Sequence, residues 1–208
     1  RLMEHSMLLT MKSTLSQAEI PELLSVECDE PGGVITRHVR LLSLTPRNLK
    51  IFWEKARQHR TLFSKEIRDN FSEFLRVIVR QDSSGGIMPT GLFWIIDDFV
   101  GVFYLTAIRP REDALVHYTF FDGRHRGREK LCIEMLRMAF DSYGFRRLTA
   151  EIPTYAKPQV RSFVHNQLGF KGEGRKRKAA FFDNEWFDIL VYGILREESP
   201  NKDSIANS

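Results

Sequence analysis

Cysteine is scarce in this chain of 208 residues, which contains two, Cys28 and Cys132. Two cysteines cannot form the disulfide framework of a small secreted domain, and they lack the Cys-x-x-Cys spacing of a structural zinc site. Cys132 falls on the apolar side of a helical pattern, which predicts a buried free thiol. A reducing, cytoplasmic location is the resulting expectation.

Long hydrophobic runs are also lacking. No apolar stretch approaches the roughly 20 residues that span a bilayer, and no signal-peptide pattern opens the chain. We therefore expect no membrane partner. Aromatic motifs of RNA-recognition domains are missing as well. The chain begins with Arg1, and Met3, Met7 and Met11 follow, so residues 1–12 are interpreted as vector or leader sequence.

Hydrophobic residues make up 42% of the chain and include sixteen phenylalanines, enough for a sizeable core. The net charge of +4 suits an anionic ligand or partner without singling out nucleic acid. The length predicts one domain. We expect a leader or N-terminal extension over 1–33, a folded domain over 34–198 and a disordered tail over 199–208.

The pattern of apolar residues predicts an α/β (α+β) fold. Its sheet is mixed, mostly antiparallel and six- to seven-stranded, with helices on both faces. The chain reaches the fifth strand only by crossing over a helix, so the fourth and fifth strands are expected to be parallel. The predicted strands are 34–44, 91–97, 100–108, 114–121, 147–152, 170–182 and 186–195, and the predicted helices are 46–58, 61–80, 129–143 and 158–169.

A basic turn joins the fourth strand to the third helix, and it reads Arg124-His125-Arg126-Gly127-Arg128. The start of a helix offers unpaired backbone N–H groups and a partial positive charge. Glycine lets the backbone approach a ligand closely, and the arginines add positive field. The turn therefore predicts a seat for a pyrophosphate group.

This order of elements, with the basic turn in that place, resembles the GCN5-related N-acetyltransferases (GNAT). The family's turn reads Gln/Arg-x-x-Gly-x-Gly/Ala, and residues 124–129 match its first four positions but depart from it at Glu129. The segment Gln167-Leu168-Gly169-Phe170 is similar to the family's x-Leu-Gly-Phe after its fourth helix. The C-terminal hairpin, 177–198, resembles the subgroup acting on ribosomal-protein N-termini and polyamines. The resemblance covers about residues 38–198.

The resemblance implies that acetyl-CoA is the co-substrate and that an amine attacks its thioester directly, without a metal. Acetyl-CoA would lie in a V-shaped opening between the fourth and fifth strands. Its pantetheine arm would pair with the fourth strand and its pyrophosphate would sit on the amides of the basic turn. The Glu129 carboxylate is stabilised by the helix dipole but repels a pyrophosphate, so we expect at most weakened CoA affinity. The implied cofactor-binding residues are Thr119, Phe120, Phe121, Arg124, His125, Arg126, Gly127, Arg128 and Glu129.

Two residues are candidates for the acid that protonates the departing thiolate. His165 stands where the family often has a tyrosine, and histidine can supply a proton near neutral pH. The alternative is a histidine on the helix surface or at its cap. The family's asparagine at the start of this helix is replaced by Pro158, and Tyr155 in the preceding loop is the second donor candidate.

Two residues are candidates for the base. Glu151 lies near the end of the fifth strand, where the sheet is expected to open; the alternative is an ion-paired strand residue. His117 alternates with Tyr118 on the fourth strand, so one faces the cleft and the other the helix behind. A hydrogen-bonded core histidine is the alternative for His117. A water relay without a dedicated side chain is a further alternative.

The run from Lys171 to Lys178 is strongly basic, which suits phosphate contacts but also a solvated strand edge. The acceptor is expected to be a small-molecule or protein amine. Two other functions stay open: a non-catalytic acyl-CoA-binding domain, and an acyltransferase that acts on nucleic acid or a nucleotide. Folds of this type often pair as homodimers, which the sequence does not decide.

Overall fold

The computed structural model describes residues 23–59, 62–124 and 126–200. The predicted leader, 1–12, and most of the predicted tail lie outside these ranges. The strands in chain order are β1 (Leu23–Glu30), β2 (Gly33–Leu41), β3 (Val79–Gln81), β4 (Ile87–Pro89), β5 (Leu92–Ile96), β6 (Gly101–Arg109), β7 (Asp113–Phe120), β8 (Arg147–Pro153), β9 (Lys171–Phe182) and β10 (Glu185–Leu195).

Eight of these strands form one sheet in the order β1-β2-β5-β6-β7-β8-β10-β9, and β3 pairs with β4 in a separate hairpin. Within the described residues, β7 and β8 are parallel and the other neighbouring strands are antiparallel. The mixed, mostly antiparallel sheet is confirmed. It has one strand more than predicted, because β1 pairs with β2 along its whole length.

The extra strand moves the start of the domain. The sequence analysis places residues 23–30 in an extension, yet Val26 and Cys28 are buried in the core beneath the sheet. The predicted domain start at residue 34 is therefore too late. Cys28 and Cys132 are both free and buried, and burial raises the pKa of the Cys28 thiol to about 11.

The helices are α1 (Pro46–Ala56), α2 (Lys65–Asp69), α3 (Phe71–Ile78), α4 (Glu129–Tyr143) and α5 (Pro158–Ser162). A π-helical turn over Phe163–Gln167 continues α5, and Arg196–Glu198 form a 3₁₀ turn. In the described part of the chain, no helix is long and apolar enough to cross a membrane.

Local sequence explains where the first helices begin. The Thr45 hydroxyl accepts a hydrogen bond from the Asn48 amide at 3.2 Å, and Pro46 occupies the first turn of α1. The predicted single helix over 61–80 is wrong. Asn70 is extended, and its side-chain oxygen accepts from the amide of Ser72 at 2.9 Å, so a new helix begins there.

Hydrophobic cores lie on both faces of the sheet, because successive residues of a strand point to opposite sides. On β5, Phe93 and Ile95 pack with α1 and α3, whereas Trp94 and Ile96 pack on the face that carries α4. Helices on both faces are thus confirmed.

Candidate active site

The sheet opens between β7 and β8. The two strands pair in parallel at three positions, Asp113 with Arg147, Ala114 with Leu148 and Leu115 with Thr149. Beyond Leu115, β7 stays paired with β6, and β8 stays paired with β10 as far as Pro153. Among the described residues no pairing joins β7 to β8 past this point. The predicted V-shaped opening is therefore present. Along it, the backbone of β7 from Val116 to Thr119 has no strand pairing on the β8 side among the described residues.

The basic turn lies at the wide end of this opening, since β7 ends at Phe120 and α4 begins at Glu129. Arg128, the residue before α4, provides no side-chain cap for the first amides of the helix. These amides lack intrahelical partners, as in any helix start. Arg124 and Arg126 are exposed there. The turn thus combines backbone donors with positive charge; His125 lies outside the described residues.

Gly127 is in the left-handed region, with φ of +80°. A Cβ atom at this position would lie 2.2 Å from the carbonyl oxygen of Asp29 and 2.8 Å from the Cα of Glu30. Any larger residue would therefore push the turn away from β1. The glycine is required by the contact with β1 as well as by its φ angle.

The Arg128 side chain is fully buried and reaches Glu30 at the end of β1. Its five N–H donors are all used. Nε and one Nη bond to Glu30 at 2.8 and 3.1 Å, both Nη atoms bond to Asp122 at 2.8 and 2.6 Å, and one Nη also reaches the carbonyl oxygen of Arg124 at 3.0 Å. The expectation that this arginine adds its charge to the ligand side is wrong. Its backbone amide stays in the predicted seat.

The three predicted pantetheine contacts, Thr119 to Phe121, lie at the end of β7. The Phe120 ring is buried beneath the Arg128 guanidinium, 4.8 Å from ring centroid to Cζ. Phe121 packs on the opposite face, 5.4 Å from the ring of His59. Both aromatic side chains are thus committed to packing, so a ligand would meet this segment through its backbone.

His117 and Tyr118 face opposite sides, as the strand period predicts. The Tyr118 hydroxyl donates to the carbonyl oxygen of Cys132 on α4 at 2.7 Å. His117 stacks on Tyr104, and its Nε2 lies 2.9 Å from the hydroxyl of Thr106. Burial lowers the pKa of His117 to about 4, an effect partly opposed by the negative charge of Glu151. His117 is therefore a neutral, hydrogen-bonded side chain near pH 7.

Glu151 lies on β8 beyond the last residue that pairs with β7. Its carboxylate is largely covered, 19% exposed, and forms an ion pair with Lys176 of β9. Leu115 pairs with Thr149, and His117 and Glu151 each lie two residues further along their strands, so the two side chains share one face of the sheet. The structure thus brings the two candidate bases to opposite sides of the opening, one of them held by a lysine that sequence patterns did not reveal.

Tyr155 lies in the loop after β8 and packs against the β9–β10 hairpin. Its ring stacks on Phe182 with centroids 4.4 Å apart and meets the edge of Phe187 at 5.2 Å. Burial raises the pKa of the Tyr155 hydroxyl. This residue keeps its proton at neutral pH, which suits a donor.

His165 lies in the π-helical turn, a distortion often found at functional sites. Its Nδ1 is 2.7 Å from the carbonyl oxygen of Phe170. A carbonyl only accepts hydrogen bonds, so Nδ1 carries the proton and Nε2 carries the lone pair in the neutral ring. The ring of Tyr192 lies 6.5 Å away. His165 is on the side of β8 away from His117, close to the start of β9.

The basic run lies on β9, an exposed edge strand. Ion pairs use much of its charge. Lys171 pairs with Glu198, Arg175 with Asp188, and Lys176 with Glu151. These contacts favour the interpretation of the basic run as a solvated strand edge rather than as a nucleic-acid-binding surface.

An open cleft of about 480 Å³ lies between α2 and the β9–β10 turn. None of the four candidate catalytic residues lines it. Its lining carries both signs of charge and comprises Lys65, Arg68, Asp69, Asp183 and Asn184.

The site thus joins a splayed parallel strand pair to a glycine-containing turn at a helix start. The comparisons identify the family: residues 50–191 match the model of the acetyltransferase (GNAT) domain. Since this match covers more than half of the chain, the protein belongs to the GNAT acetyltransferase family.

A curated relative is the SPbeta prophage-derived uncharacterized N-acetyltransferase YokL of Bacillus subtilis strain 168, 27% identical over 70 residues. The match spans 34% of this chain and 38% of that relative.

Two solved structures share the fold. RimJ of Mycobacterium smegmatis in complex with CoA-disulfide has a TM-score of 0.60 at 20% identity, over 85% of this chain and 89% of that one. A mutant of the SpeG spermidine N-acetyltransferase from Vibrio cholerae has a TM-score of 0.62 at 15% identity, over 80% of this chain and 98% of that one.

Proposed function

We propose that the protein is an acetyl-CoA-dependent N-acetyltransferase that transfers an acetyl group to a primary amine by direct attack. The observation that carries the proposal is the splayed β7–β8 pair with a basic turn at its mouth, in a chain of the GNAT family. The solved RimJ structure with a coenzyme A derivative supports the choice of ligand. The acceptor is a small-molecule or protein amine.

Residues of the turn and of β7 would hold the co-substrate. The α4 amides and the exposed Arg124 and Arg126 fit a diphosphate, because they bring backbone donors and positive charge together in one turn. The edge of β7 from Val116 to Thr119, which has no pairing with β8 among the described residues, fits an extended amide-containing chain. The thioester supplies an activated acetyl group, which an unprotonated amine can take without a metal.

The chain's own groups would then move two protons. We assign Glu151 as the base, because its carboxylate lies on β8 beyond the last pair with β7 and stays partly exposed, whereas His117 is stacked on Tyr104 and hydrogen-bonded to Thr106. Tyr155 and His165 are the two alternative donors for the departing thiolate, and Tyr155 is the one we favour, because the Nδ1 proton of His165 is already donated to the Phe170 carbonyl.

A thermal-shift experiment tests the ligand. Coenzyme A and acetyl-CoA should raise the melting temperature, whereas adenosine should not, because a ligand that binds the folded state stabilises it by mass action. Release of free thiol from acetyl-CoA with a panel of amines then tests turnover. Absence of any shift at millimolar coenzyme A would contradict the proposal.

A second candidate is a non-catalytic acyl-CoA-binding domain, favoured by Pro158 and His165 at positions where the family has asparagine and tyrosine. It predicts the same thermal shift without thiol release for any amine. Transfer to nucleic acid is disfavoured, since three of the five basic side chains over 171–178 are paired within the chain.

A further inference from the structure

A buried charge network joins the basic turn to the first strand of the sheet. Arg128 bonds to Glu30 at the end of β1 and to Asp122 at the start of the turn. Arg37 of β2 bonds to the same Glu30 carboxylate at 2.7 Å and to Asp97 at 2.7 Å. The Glu30 side chain is 2% exposed and the Arg128 side chain 0%. Glu30 is therefore fixed by two arginines, one from its own hairpin and one from the turn.

The network holds the turn at several points. The Arg128 guanidinium reaches Glu30, Asp122 and the carbonyl oxygen of Arg124. The Asp122 carboxylate accepts from the amide of Arg124 at 3.0 Å. Together with the tight contact of Gly127 with Asp29, these hydrogen bonds restrict the backbone conformation of the described part of the turn.

The network also neutralises the negative charge of Asp122 beside the turn. Asp122 is 36% exposed and lies two residues after β7, at the start of the turn proposed to receive the diphosphate. Its charge opposes binding unless a cation faces it at short range. The Arg128 guanidinium lies 2.6 Å from it and supplies that cation. A buried ion pair contributes little net stability but fixes geometry, which is the property that an anion seat requires.

We propose that Glu30 and Arg128 are positioning residues that hold residues 121–124 and 126–128 of the basic turn in their diphosphate-binding conformation, with β1 as the brace. The proposal rests on the proposed function for the identity of the ligand. The brace itself is a property of the ligand-free chain. Neither side chain touches the ligand; each acts through the backbone of the turn.

Glu30→Gln is the informative variant, because it keeps the shape of the side chain and removes its charge. A turn that reaches its binding shape only part of the time binds more weakly in proportion. We expect the Kd for coenzyme A to rise about tenfold, by calorimetry. The Kd for pantetheine, which lacks the diphosphate, should stay unchanged by NMR titration. Loss of folded protein alone would weaken both ligands alike.

Glu173→Gln is the matched control. It breaks an ion pair with Arg147 at the other end of the sheet, and its Kd for coenzyme A should equal that of the wild type. Arg128→Lys keeps the charge but cannot reach both carboxylates in a fork. It should fall between the wild type and Glu30→Gln.

Hydrogen exchange in the ligand-free protein separates this inference from the proposed function. Glu30→Gln should speed exchange of the amides over 121–131 and leave those of β9 and β10 unchanged. If exchange and the Kd for coenzyme A both match the wild type, the brace is disproved. If the wild type binds no coenzyme A, the proposed function fails, and the exchange result still decides whether β1 braces the turn.

Discussion

The imidazole of His117 stacks on the ring of Tyr104, with centroids 4.4 Å apart and planes 9° from parallel. Burial in this stack lowers the pKa of His117 to about 4, below its ordinary value near 6.5. The folded state therefore binds fewer protons than the unfolded state between these values. His117 contributes full stability above about pH 6.5 and loses it as the pH falls toward 4.

The first prediction concerns this proton. The free energy of unfolding of the wild type should fall between pH 6.5 and 4 with a slope that includes up to about 1.4 kcal/mol per pH unit from His117. His117→Gln should flatten the slope by that amount, measured by urea unfolding at several pH values. His38→Gln is the control, since His38 is exposed on β2. An unchanged slope in His117→Gln would show that His117 is not buried as described.

The second prediction compares two glycines of the same turn. Gly123 and Gly127 both have positive φ, +71° and +80°, but only the Cβ of an alanine at 127 meets another strand. Gly123→Ala should cost about 1 kcal/mol of stability, from backbone strain alone. Gly127→Ala should cost more and should also weaken binding of coenzyme A, because the turn must move off β1. Equal effects in denaturant unfolding and calorimetry would argue against the contact with Asp29.

Much of this fold could be predicted from periodicity and turn residues. Seven of the nine strands that follow β1, and the crossover helix, could be predicted, because each repeats apolar residues at the strand or helix period. β1 also alternates, with Val26 and Cys28 buried. It ends, however, on a buried glutamate, which a sequence pattern assigns to solvent. Glu30 is buried only because Arg37 and Arg128 reach it.

The site was predictable where it depends on local geometry. The turn between β7 and α4, and the parallel strands on either side of the opening, follow from neighbouring residues. The partners of Arg128 and Glu151 could not be found, because Glu30 lies 98 positions and Lys176 lies 25 positions away along the chain. The number of arginines in a basic turn can be read from the sequence, but the direction in which each arginine points cannot.

The third prediction tests Glu151 as the base. Glu151→Gln should lower kcat about a hundredfold, the lower range of general-base effects. The Kd for coenzyme A should not change, because the carboxylate lies on β8, away from the turn. The measurement is thiol release at saturating acetyl-CoA with whichever amine proves active. Glu173→Gln, another ion-paired carboxylate of the same sheet, is the control and should keep full activity. Activity within threefold of the wild type for Glu151→Gln would favour a water relay.

The fourth prediction separates the two proton donors. Tyr155→Phe removes one hydroxyl and keeps the stack on Phe182, so the melting temperature should hardly change. If Tyr155 protonates the thiolate, kcat falls about a hundredfold while coenzyme A binds as before. His165→Gln should leave kcat within a few-fold, because its Nδ1 proton is already donated to the Phe170 carbonyl. The opposite ranking, with His165→Gln inactive and Tyr155→Phe active, would assign the acid to the π-helical turn.

The Tyr155 hydroxyl is protonated at neutral pH, since burial raises its pKa. The contribution of Tyr155 to activity should therefore persist at neutral pH and be lost on the alkaline side.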